Sequence, residues 1–119
     1  MDADRKKQLQ ERYKNYRPAM GVFGIRRLDT GKTYLMATNN LKGKMNSVAF
    51  QLRNHSFITC HALNDDYRQA GEDGFVLEIL EELAYDKDDE AGAKDYSEEL
   101  DMMKTLWQEK LVSQGIEVY

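Results

Sequence analysis

Gly21-Val22-Phe23-Gly24-Ile25 and Thr33-Tyr34-Leu35-Met36 are two short extended runs on either side of the turn Asp29-Thr30-Gly31-Lys32. On an extended backbone Gly21, Phe23 and Ile25 share one side, with Val22 and Gly24 on the other. In the second run Tyr34 and Met36 oppose Thr33 and Leu35. Gly31 accepts the positive φ that a tight reversal needs, so the stretch reads as a β-hairpin over 20–28 and 32–37. Gly24 marks a bend or the close approach of another backbone.

Outward from this hairpin the pattern turns helical. Thr38, Asn39 and Asn40 are all competent N-caps. Leu41, Met45, Val48, Ala49 and Leu52 then recur at helical spacing until Arg53-Asn54-His55-Ser56 breaks the pattern. A shorter helix is expected near 60–70, with Leu63, Tyr67 and Ala70 inward and Gly71 as its stop. Phe75-Val76-Leu77-Glu78-Ile79-Leu80 reads as a strand and residues 84–94 as an acidic loop. Tyr96, Leu100, Met103, Trp107 and Leu111 form one stripe of a final helix over 95–112, and the tail from Ser113 is expected to be loose. Upstream, Leu9, Tyr13 and Tyr16 form a narrow stripe on a helix over 2–16 that Pro18 ends. The order is helix, hairpin, two helices, strand, helix. It predicts an α+β fold with a small, largely antiparallel three-stranded sheet, hairpin 20–37 plus strand 75–81, flanked by helices.

Composition agrees with one domain spanning 1–119: an N-terminal helix over 1–17, a core over 19–112 and a tail over 113–119. Charged residues make up 32% and apolar ones 41%, which suits a globular chain rather than a disordered one. No apolar run approaches the length of a membrane span, and the charged N-terminus is unlike a secretory signal. The single cysteine, Cys60, has no partner for an internal disulfide, which points to a reducing, cytoplasmic setting. The net charge of −4 conceals an asymmetry: residues 1–70 hold 13 Lys+Arg against 6 Asp+Glu, and residues 71–119 hold 4 against 15. The first part could attract phosphate, and the second could neutralise it within the fold or repel nucleic acid.

Gly21-Val22-Phe23, Tyr34-Leu35-Met36, Asn40-Leu41-Lys42-Gly43-Lys44, and Ala70-Gly71 leading to Phe75 and Ile79-Leu80-Glu81 resemble, in consistent order, the motifs of the GIY-YIG nuclease family. The resemblance covers about residues 20–110. It implies a GIY-YIG-like fold and a site where two tyrosines and an arginine surround a phosphodiester while a glutamate on the last helix holds a divalent metal ion. At the matching positions this chain has Phe23 for the first tyrosine, Tyr34 for the second, Met36 for the glycine, Lys44 for the arginine, Val48 for a common histidine and Lys104 for the glutamate. Phe23 has no hydroxyl. Lys44 keeps the charge without the bidentate fork. Lys104 would repel Mg²⁺. Asp101, one turn before Lys104, is the nearest substitute carboxylate.

The resemblance therefore implies a catalytically degenerate domain, with no intact catalytic set and no cofactor. Its expected role is nucleic-acid binding or regulation. Arg26, Arg27, Lys32, Lys42 and Lys44 are the candidate contacts to DNA or RNA. Two alternatives stand beside it. One is a protein-interaction module that meets a protein partner or a second copy of itself. The other is a residual endonuclease using Tyr34 with Mg²⁺ or Mn²⁺, its metal held by Asp101. No membrane partner is expected.

Other signals are weaker. Tyr34 suits packing in a strand better than chemistry. Cys60 and His61 are adjacent and point apart, so with His55 and Asp65 they make no ligand set. The run Asp86-Lys87-Asp88-Asp89-Glu90-Ala91-Gly92 has Ala91 and Ser97 where a calcium loop needs glycine and glutamate, and reads as a solvated acidic loop.

Overall fold

The computed structural model describes residues 17–119. The helix expected over 2–16 lies outside the described residues. The sheet has three strands, β1 (Met20–Arg27), β2 (Thr33–Thr38) and β3 (Phe75–Leu83), in the order β2-β1-β3 with both pairings antiparallel. The helices are α1 (Leu41–Arg53), α2 (His61–Ala70) and α3 (Ser97–Ser113), with a short 3₁₀ turn, Glu72–Gly74, leading into β3.

The hairpin closes as the turn residues require. The Gly31 N–H donates to the Arg27 carbonyl at 2.8 Å, the Arg27 N–H to the Lys32 carbonyl at 2.9 Å, and Gly31 takes φ 77°. β1 is the central strand. Its register against β3 shifts between Val22 and Phe23, so Val22 faces Glu81 while Phe23 faces Ile79, and Leu80 is the extra residue of a bulge. At Gly21 the backbone of β3 leaves no room for a side chain, since a Cβ there would overlap the Glu81 carbonyl oxygen.

The two sheet faces carry different cores. On one face Phe23 and Ile25 pack with Leu41, Val48 and Leu52 of α1, Phe57 of the loop that follows it, Leu63 and Tyr67 of α2, and Phe75. On the other, Val22 and Leu35 pack against Leu111, Met103 and Trp107 of α3. A third cluster joins Met20 to Tyr96 and Leu100. The α1 stripe is buried as its spacing requires: Leu41, Val48 and Leu52 are buried, with Asn40 as N-cap accepting from the Gly43 N–H at 3.1 Å. On α2, Leu63 and Tyr67 are buried, but Ala70 is exposed rather than inward, because it stands at the last turn before Gly71 leaves the helix at φ 80°.

Two expectations are corrected. The tail is not loose. Val118 bridges to Thr33 in parallel, with the Thr33 N–H donating to Glu117 and the Tyr119 N–H to Thr33, each at 3.0 Å. Ile116 and Val118 join the α3-side cluster, the Tyr119 hydroxyl donates to Asp66 at 2.6 Å, and Lys32 sits 4.3 Å over the Tyr119 ring. Burial and the Asp66 carboxylate push the Tyr119 hydroxyl far above its ordinary pKa. Strand pairing, apolar burial and a ring anchor together hold these residues, and tail composition reveals none of them.

The acidic loop is likewise built rather than merely solvated. Asp89 accepts the Ala93 N–H at 3.0 Å, the Lys94 N–H at 3.2 Å and the Tyr96 hydroxyl at 2.6 Å, while Lys94 pairs with Asp86. The Tyr96 bond, followed by the backbone donors, holds the Asp89 carboxyl below its ordinary 3.8. A carboxylate depressed in the folded state stabilises fully above its unfolded pKa, and this is lost as pH falls through the folded value. The melting-temperature gap between wild type and Asp89→Asn is expected to be full above about pH 5 and to close in more acidic buffer. Thermal melts across that range check it, and a constant gap would contradict it.

Candidate functional site

Phe23 lies on the helix-covered face of the central strand, where β1 crosses beneath α1, and is 0% exposed. Leu41 and Val48 share its cluster, and Met36, Met45 and Tyr34 pack against the edge. The positions that the family resemblance would fill with tyrosine, glycine and histidine thus form a continuous apolar contact. Tyr34 keeps its hydroxyl, half-buried, with its ring edge-on to Phe57 at 5.8 Å. Burial, and then the nearby Cys60 thiol, raise its pKa above 10.0, the direction opposite to what a hydroxyl poised to activate water requires.

Lys44 is exposed one turn into α1 and lines a cavity of about 710 Å³. This cavity opens between the junction of β2 with α1, which contributes Asn39 and Asn40, and the start of α3, which contributes Asp95, Tyr96 and Asp101. Neither Phe23 nor Tyr34 lines it. Lys44 and Asp101 are therefore brought to one cavity, while the Phe23 ring is buried in the core and the Tyr34 ring packs against it, both outside the cavity lining. Asp95 is committed to the α3 N-terminus: its Oδ1 accepts the Ser97 N–H at 2.9 Å and the Ser97 hydroxyl at 2.6 Å, and these bonds hold its carboxyl below the ordinary range. Lys104 is half-buried on α3 between Leu100 and Trp107, and lies outside the cavity wall.

The donor set does not suit the divalent ion that the family resemblance implies. The position that the resemblance matches to the glutamate is Lys104, an ammonium, and among the described residues no three His, Cys, Asp or Glu side chains converge. His55 and His61 are exposed and Cys60 is half-buried at the edge of the core, as ordinary loop and surface residues.

The five basic candidates are not brought together. Arg26 Nε sits 2.8 Å from Glu78. Arg27 Nε approaches Asp29 at 2.8 Å without the alignment of a hydrogen bond, and its Nη1 lies 3.5 Å from Asp66. With Lys32 over the Tyr119 ring, these three occupy the turn end of the hairpin. Lys42 and Lys44 stand exposed at the opposite end, roughly 20 Å away at strand rise. Sequence order suggested convergence because α1 follows the hairpin closely, but a hairpin returns its chain to the end it started from.

Sequence reading missed the cavity and the Tyr96–Asp89 bond that shapes one wall. The available signal was Tyr96 at the head of the α3 stripe, directly after a loop rich in acceptors.

Comparison with known proteins places the fold. No protein-family model matches the chain, and no curated protein matches it significantly. Among solved structures, a glutamate-to-alanine mutant of the catalytic domain of intron endonuclease I-TevI is similar at 18% identity, with 83% of this chain and 90% of that one covered and a TM-score of 0.61. A second structure, the catalytic domain of homing endonuclease I-TevI, is similar at 20% identity, covering 82% and 94% with a TM-score of 0.58. With a three-stranded antiparallel sheet and three helices in this order among its described residues, the chain has a GIY-YIG-like fold.

Proposed function

We propose that this chain is a nucleic-acid-binding GIY-YIG-like domain that does not hydrolyse phosphodiesters, and that it meets the backbone of its ligand with Lys42 and Lys44 at the start of α1. The observation carrying this reading is Phe23: a phenyl ring, 0% exposed and packed on Val48, where the family resemblance calls for a reactive hydroxyl. A buried ring can neither donate to nor deprotonate anything at an open cleft. Lys44 retains a positive charge at a cavity mouth, which is enough to hold phosphate but not to grip it bidentately.

Two lysines give weak, salt-steep binding. The experiment is fluorescence anisotropy with a labelled oligonucleotide at low salt, alongside a nicking assay with Mg²⁺ or Mn²⁺. The expected result is binding that Lys42→Glu/Lys44→Glu reduces at least about tenfold, with a log–log salt slope flatter by roughly 2, and no nicking. Metal-dependent nicking that disappears in both Tyr34→Phe and Asp101→Asn would instead support the residual endonuclease with Asp101 as its carboxylate.

A protein-interaction role is favoured by one separate observation. Met102 and Leu106, one turn apart on the outer face of α3, are 67% and 59% exposed. Light scattering checks it: a concentration-dependent dimer that Met102→Ser/Leu106→Ser abolishes would select that reading.

A further inference from the structure

The cavity beside Lys44 has walls of opposite charge. On the α1 side Lys44 lines the cavity with the amides of Asn39 and Asn40, and Lys42 stands exposed on the same first turn of α1, outside the cavity lining. On the α3 side stand Asp95 and Asp101 in the cavity, with Glu98 and Glu99 exposed in the first turn of the helix beside them. Lys94, which also lines the cavity, is paired with Asp86 and adds no free positive charge to that wall. Resting on the nucleic-acid reading above, we propose that the acidic wall makes the site selective for a single strand: one phosphate backbone lies along Lys42 and Lys44 while Asp95 and Asp101 exclude a second.

The physical argument is one of width and sign. A duplex presents two backbones, and seating one against the α1 wall brings the other toward the α3 wall. There its phosphates approach carboxylates whose repulsion reaches over the ~8–10 Å screening length. A single strand avoids this meeting. Its unpaired bases also carry N–H groups that are otherwise engaged in base pairing, and a carboxylate accepts from such donors, as from the cytosine amino group. The same wall that repels a second backbone can thus receive a base. The cavity volume of about 710 Å³ is on the scale of a small-ligand pocket, roughly 300–1,000 Å³, which accommodates a base and not a double helix. Asp101 is the residue on which the selectivity turns, because its carboxylate has no hydrogen-bond or ion-pair partner among the described residues, whereas Asp95 is held by Ser97.

The test uses the full chain and two labelled probes of one mixed sequence, a 20-nucleotide single strand and the same strand annealed to its complement. Anisotropy is read at low salt. The expected result is at least tenfold tighter binding of the single strand. Asp101→Asn should raise duplex affinity roughly threefold, and Asp95→Asn/Asp101→Asn roughly five- to tenfold, on the scale of screened surface charges. Asparagine keeps an acceptor for Ser97, so the α3 N-terminus is retained, and a thermal melt of each variant verifies it. Equal binding of the two probes by wild type would overturn the inference and leave the nucleic-acid reading standing. Single-strand preference unmoved by both variants would also overturn it. Absence of binding to either probe would remove the nucleic-acid reading and this inference together.

Discussion

Gly21→Ala is expected to cost about 3 kcal/mol or more of unfolding free energy, leaving a chain of this size close to unfolded at physiological temperature. A methyl group at this position would overlap the Glu81 carbonyl oxygen and stand 2.8 Å from Glu82 Cα. Both obstacles are backbone of the neighbouring strand, so no rotamer change relieves them. β1 and β3 would have to separate just beyond the bulge, where Met20 and Leu83 begin the contact with Tyr96 and Leu100. Urea titration followed by circular dichroism measures the loss. Gly31→Ala serves as the comparison: nothing lies within 4 Å of its added methyl, and only its φ of 77° is strained, so a cost of roughly 1 kcal/mol is expected. Equal losses at the two glycines would show that β1 and β3 do not meet as closely as the register requires.

The second large effect is at Phe23. Phe23→Ala is expected to lose about 3–5 kcal/mol, the cost of emptying a fully buried aromatic site. Phe23→Tyr separates packing from chemistry. It restores the hydroxyl that the family resemblance calls for but places it in the cluster of Leu41, Val48 and Leu52. An unpaired buried hydroxyl costs about 1–3 kcal/mol, so the variant should fold less stably and still not cleave DNA with Mg²⁺ or Mn²⁺. Cleavage gained by Phe23→Tyr alone would mean that the remaining positions form a working site, and would defeat the non-hydrolytic reading. A stability loss below about 0.5 kcal/mol would show that the hydroxyl finds a partner.

The hairpin and α1 were legible because their signals are local. Alternation across Gly21–Ile25, a glycine at the turn, and Asn40 ahead of an apolar stripe each act within a few residues, and the structure uses all three. The α3 stripe was legible for the same reason, with Leu100 and Leu111 buried as the spacing demands. What was not legible depends on partners far apart in the chain. Tyr119 meets Asp66 across 53 positions, and Arg26 meets Glu78 across 52. No periodicity marks those pairs. They hold Arg26 beside Glu78 and seat Tyr119 beneath Lys32 at the turn end of the hairpin, away from Lys42 and Lys44.

The sequence by itself thus determined the order of elements, the α+β class and which side chains stand at Phe23, Met36, Lys44 and Lys104, because residue identity and local pattern suffice for these. Only the tertiary structure decided where those side chains stand. It buried Phe23 in the core with the Tyr34 ring packed at its edge, sent the lysines of α1 to the opposite end of the hairpin from Arg26 and Arg27, and set Lys44 across a cavity from Asp101. Which face a strand presents to a helix, and which end of a hairpin a charge occupies, follow from packing both sheet faces at once, and a one-dimensional pattern does not carry that constraint.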